Sequence, residues 1–115
     1  MSDYHEPINE LSAETRNFVR ALNSLKEEIE AVDWYQQRVD ASNDNALKSI
    51  LAHNRDEEIE HACMTLEWLR RNMPGWDEEL RNYLFTEGDI THAEEKQEGS
   101  DEDEAADNGS LGIGK

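Results

Sequence analysis

Apolar residues recur in steps of three and four from Phe18 through Leu22, Leu25, Ile29 and Val32 to Val39, with Gln36 in the remaining seam position. That spacing keeps them on one side of an α-helix and predicts a helix from Ser12 to about Ala41, started by Ser12 or the acids near it. The polar stretch "SNDN", residues 42–45, predicts a tight turn that ends in a new N-cap. A second helix should then run from about Ala46 to Asn72, where Pro74 and Gly75 stop it. Two long helices joined this way form an antiparallel αα-hairpin. "GWDEELRNYLF" predicts a short third helix, with Asp77, Glu78 and Glu79 in its first turn and Trp76, Leu80, Tyr83 and Leu84 at helical spacing. Beyond Phe85 the apolar pattern stops.

Two positions break the stripe of the second helix. At about 100° per residue, Leu51, Ala62 and Leu69 lie within roughly 40° of Glu58, and His61 lies about 60° to one side. On the first helix, Ala21, Val32 and Val39 lie within roughly 40° of Glu28, and Tyr35 sits nearly above it. Each helix therefore carries a carboxylate on its apolar face. An unpaired buried carboxylate costs several kcal/mol, so both need a partner for their charge. Three solutions fit: a salt bridge to a buried arginine such as Arg55, a helix crossing that leaves both glutamates wet, or a shared metal ion. The segment "EIEH" places Glu58 and His61 at i and i+3, so one turn offers a carboxylate oxygen and an imidazole nitrogen to one ion. Di-iron centres in four-helix bundles use one Glu from each of two helices and a Glu-x-x-His pair from each of two others. One hairpin holds half of that set, and a second copy about a two-fold axis would supply the rest. Many carboxylates with few imidazoles favour iron or manganese over structural zinc.

Other candidates have plainer explanations. Glu27 and Glu30 form an i, i+3 pair beside Trp34, which by spacing alone is an acidic, solvated helix face. His53 reads as an interfacial or surface histidine, and His5 and His92 sit near the ends. Cys63 reads as a small packed residue with no base to activate it. Trp68 and Trp76 read as packing residues.

Charge narrows the partners. The net charge of -17 divides into -8 from Glu87 to Lys115 and -9 before it. Such a chain repels nucleic acid and anionic membranes and attracts cations. At 115 residues it supports one small domain with a thin core, which invites oligomerisation. One cysteine, a start without a signal pattern and the absence of a spanning segment make a cytoplasmic location the expectation. The expected organisation is a flexible segment at 1–11, a helical domain at 12–86, an acidic disordered linker at 87–110 and, at 111–115 with Gly109 and Ser110, either a docking peptide or a featureless frayed end. There Leu111 and Ile113 stand among glycines after the solvated linker.

The stretches "EEIEAVDWYQQRVDA", "ILAHNRDEEIEHACMTLEWLRR" and "YLFTEG" closely resemble the encapsulated ferritins, ferroxidases held inside encapsulin nanocompartments. The resemblance covers nearly all of residues 5–90 and resumes at "GSLGIGK". It implies an all-α fold in which hairpins with a short C-terminal helix dimerise into a ferritin-like four-helix bundle, and dimers form a ring-shaped decamer. It implies a di-iron centre between two subunits with Glu28, Glu58 and His61 as ligands and Tyr35 beside them. It maps Glu27, Glu30 and Trp34 onto a metal-entry site, in place of the plain acidic face that spacing gives. It makes Leu111 and Ile113 the anchors on an encapsulin shell, and Fe(II) and dioxygen the substrates. Cys63 departs from the Ala or Met expected there. The competing expectations are a metal-triggered assembly without turnover and a metal-free helical adaptor that recruits cargo.

Overall fold

The computed structural model describes residues 4–93, and the chain divides into two compact units after Pro74. The described residues are helical and contain no strand.

The first unit is the hairpin of α1 (Ala13–Ala41) and α2 (Asn45–Asn72). α1 starts where Ser12 Oγ accepts the Thr15 N–H at 3.0 Å, satisfying an otherwise orphaned donor of the first turn. It ends where the Ser42 N–H returns to the Arg38 carbonyl. Asp44 caps α2 by accepting the Leu47 N–H at 2.9 Å, so the helix begins at Asn45, one residue earlier than the pattern predicts. The Met73 N–H closes it on the Leu69 carbonyl at 2.8 Å.

α1 and α2 pack along their length; Phe18, Leu22, Leu25, Val32 and Val39 of the predicted stripe are partly covered, whereas Ile29 is 56% exposed. Leu69 is completely buried, and beside it Phe18 and Trp68 meet edge to face with ring centres 6.3 Å apart. Across the middle of the hairpin, Arg55 Nη1 donates to Gln36 Oε1 at 2.8 Å and fixes the register of the two helices. A 3₁₀ turn at Ile8–Glu10 precedes α1. It is tied down by Arg16, whose guanidinium donates to the carbonyls of Ile8 and Leu11 at 3.1 and 2.8 Å.

The hairpin leaves much apolar surface uncovered. Ile29, Trp34, Leu47, Ile50, Ile59, Met64 and Trp68 are all exposed, and among the described residues only Leu69 and Ala93 are fully buried hydrophobics. Surface of this kind on a small chain marks an association face.

The second unit starts at Gly75, whose φ of 102° lies in the region that glycine adopts without strain. α3 (Trp76–Tyr83) carries an Asp77–Arg81 ion pair at 2.9 Å. Thr86 Oγ1 donates to the Tyr83 carbonyl beyond its end. A further 3₁₀ turn spans Ile90–His92, where hydrogen bonds from Thr91 and His92 hold the Asp89 carboxyl below its ordinary range. No helix among the described residues is long and apolar enough to cross a membrane.

Candidate metal centre

Glu58 and His61 lie one turn apart on α2, where the side-chain direction of a helix stacks i over i+3. His61 Nδ1 and Glu58 Oε1 are 3.6 Å apart, too far for a good hydrogen bond and close enough for two donors of one ion. The Glu58 side chain is 28% exposed and that of His61 46%, so the pair faces outward from a half-covered position.

Glu28 stands on α1, the helix packed against α2. Its Oε1 is buried and has no hydrogen-bond partner. Buried carboxylate oxygens in folded proteins are nearly always satisfied, and one left without a donor marks a place for a cation or a second chain. Arg55 is not that partner. Its guanidinium is committed to Gln36 and to Asp56, the latter at 3.0–3.1 Å, which removes the buried salt bridge that composition allowed. Tyr35, half-buried nearly two turns beyond Glu28, carries the Arg38 guanidinium 5.2 Å from its ring centre.

Glu27 and Glu30 are exposed on α1, and Trp34 beside them is 50% exposed. Among the described residues no three His, Cys, Asp or Glu side chains converge in one chain. Of the candidate ligands, Glu58 and His61 are the pair that one chain holds within 4 Å of each other. Leu111 and Ile113 lie outside the described residues. Cys63 is exposed on α2, not packed, because it lies to the side of the stripe that Leu69 and Ala62 occupy. His53 is a surface residue as its position suggested, 3.3 Å from Glu57.

Sequence reasoning missed the Gln36–Arg55 bond and the Arg38–Tyr35 stack. Arg38 stands at i+3 from Tyr35, a spacing that signals such contacts. Gln36 and Arg55 are on different helices, and only the hairpin register reveals them. It also missed Glu67, which accepts from Arg70 at 2.8 Å and from Arg71 at 2.6 Å. The Arg70 hydrogen bonds, then those of Arg71, pull its carboxyl down to about 2.

The chain matches the model of the EncFtn-like family over residues 3–87. It is 63% identical over 112 residues to a ferritin-like protein of Thermotoga maritima, covering 97% of this chain and 96% of that one. It is 60% identical over 118 residues to an encapsulated ferritin-like protein of Rhodospirillum rubrum, covering 96% of this chain and 84% of the relative. A crystal structure of a Nitrosomonas europaea protein, 60% identical, superposes with a TM-score of 0.76 over 79% of this chain and all of that one. With a helical hairpin of the same kind, a family model matched across its helices and relatives this similar over nearly the whole length, the chain belongs to the EncFtn-like family of encapsulated ferritin-like proteins.

Proposed function

We propose that the protein is a ferroxidase that oxidises Fe(II) to Fe(III) with dioxygen at a di-iron site built by two subunits. The observation that carries this is the buried, unpartnered Oε1 of Glu28 on the helix packed against the Glu58–His61 turn. A buried carboxylate oxygen without a donor is accounted for when a cation completes it. The donor set fits iron: carboxylate oxygens with one imidazole per chain, and no thiolate among them.

In this reading two hairpins pack about a two-fold axis and contribute two copies each of Glu28, Glu58 and His61. Glu28, Glu58 and His61 of the two chains would hold the iron, carboxylate oxygens and imidazole nitrogens together supplying its ligands. The half-exposed position of the Glu58–His61 pair fits a site closed by a second chain. Exposed Glu27 and Glu30 gather Fe(II) from solution beside Trp34, helped by the net charge of -17. The side chains position two metals and leave room for oxygen, which accepts the electrons the irons give up. Tyr35 borders the site, its ring held by Arg38.

A relative named an encapsulated ferritin-like protein supports the reading that dimers of this chain assemble into a ring inside an encapsulin nanocompartment in the cytoplasm. In that arrangement the domain at 12–86 is tethered by the acidic segment 87–110, and Leu111 and Ile113 dock on the shell wall. Oxidised iron then passes to a mineral stored by the shell.

Anaerobic titration with Fe(II) tests the site. Glu28→Gln should lose tight binding while its circular dichroism stays helical; unchanged binding would remove Glu28 from the site. The exposed apolar surface also favours a second reading, metal-triggered assembly without turnover. That reading predicts metal-dependent oligomer size with no iron oxidation.

A further inference from the structure

Gln36 is the polar member of the α1 stripe that steps from Phe18 to Val39, and the proposed site does not use it. A leucine there would continue the stripe, so packing does not explain the choice. Its Oε1 accepts from Arg55 Nη1 of α2 at 2.8 Å. The other two nitrogens of that guanidinium turn to Asp56 Oδ1, Nε at 3.1 Å and Nη2 at 3.0 Å. Arg55 also stands three residues before Glu58, which puts their Cβ atoms about 5–6 Å apart on adjoining turns. The same helix shows what an arginine does at that spacing. Arg70, three residues from Glu67, closes on it with Nε and Nη2, each at 2.8 Å, and Arg71 adds a bond at 2.6 Å. A carboxylate so engaged has its lone pairs filled and fixed positive charge beside it, and both oppose a metal ion. Glu58 differs: its Oε1 lies 3.6 Å from His61 Nδ1, and Arg55 pairs with Gln36 and Asp56 and not with it.

We propose that Gln36 is a positioning residue, which holds the Arg55 guanidinium towards α1 and so keeps the Glu58 carboxylate free to take Fe(II). The proposal rests on the reading of Glu58 as a metal ligand. Asp56 does not fix the guanidinium by itself: its side chain is 64% exposed, and an ion pair to so solvated a partner contributes little. Glu58, 28% exposed, is the less solvated of the two carboxylates, where the same pairing is stronger. Without the Gln36 acceptor the guanidinium therefore turns along α2 onto Glu58 and has to be displaced before a metal enters. The amide suits the task because it accepts a hydrogen bond without adding a charge of its own. Glu28 stays outside this exchange, since it lies eight residues from Gln36, about 12 Å along α1.

Anaerobic Fe(II) titration of the full chain by calorimetry tests this with two single variants and their combination. Gln36→Leu should raise the dissociation constant roughly three- to fivefold, the size of one partly covered ion pair. Arg55→Gln should bind Fe(II) at least as tightly as the parent. The double variant Gln36→Leu, Arg55→Gln should match Arg55→Gln, because no guanidinium is left to fall on Glu58. A double variant as weak as Gln36→Leu would make Gln36 a residue of hairpin packing and overturn the proposal, as would unchanged affinity in Gln36→Leu alone. A crystal structure of metal-free Gln36→Leu gives a readout independent of iron. The Arg55 guanidinium should lie within about 4 Å of a Glu58 oxygen; a guanidinium still on Asp56 overturns the proposal. A parent that binds no Fe(II) removes the ferroxidase reading, and the position of Arg55 in that crystal structure then decides separately whether Gln36 holds it off Glu58.

Discussion

Leu69 and Glu58 lie on one stripe of α2, eleven positions apart, and a single chain completes only the first of these levels. Around Leu69 the side chain is fully buried, the Phe18 and Trp68 rings meet, and the Met73 N–H closes the helix on its carbonyl. Around Glu58 the carboxylate and His61 remain partly open, and Glu28 on the facing helix keeps a buried oxygen with no donor. Packing alone can satisfy an apolar level within one hairpin. A polar level on the same stripe needs charge from outside, and that incompleteness is what supports the proposed site.

Three substitutions sharpen the contrast. At the closed level, Leu69→Ala should lower stability by about 2–5 kcal/mol, read from urea unfolding of metal-free protein at fixed concentration. A loss well under that would mean the level is not the hairpin's core. At the open level, Glu28→Met should act in the opposite direction and raise metal-free stability by about 1–3 kcal/mol, because it removes an unsatisfied buried oxygen while keeping the volume. Destabilisation there would show that Oε1 already has a partner.

The smallest effect belongs to Glu67, which lies on α2 between the Glu58 and Leu69 levels. Its carboxyl is held at about 2 against an ordinary 4.5, so the ionised form is the one the fold favours. Its contribution is therefore present above about 4.5 and lost as pH falls through about 2. The melting temperature of Glu67→Gln should lie slightly below that of the parent at neutral pH, with the gap closing below 4.5. A gap that persists at pH 2 would place the effect in packing instead of charge.

The elements of the hairpin were legible because each has a local cause. Ser12 caps α1, the "SNDN" turn reverses the chain, and the three- and four-residue steps set the buried faces. The start of α2 shifted by one residue because Asp44 took the cap ahead of Asn45. The 3₁₀ turn at Ile8–Glu10 was not legible, since its hold comes from Arg16, several residues further along. For the proposed site, polarity on an apolar stripe singles out Glu28, Glu58 and His61 as candidates and leaves open whether Arg55 neutralises them. Only the helix register shows Arg55 engaged with Gln36. Cys63 was misjudged because its position to one side of the stripe was not weighed against its small size.

The central claim is that Glu58 and its neighbours oxidise iron, and aerobic Fe(II) oxidation followed by ferric absorbance tests it most directly. The intact chain and Glu58→Ala should be compared at matched oligomeric state, established by light scattering. The account predicts fast oxidation in the intact protein and a fall to the protein-free rate in the variant. Equal rates in both would contradict it and leave Glu58 and His61 as ligands of assembly.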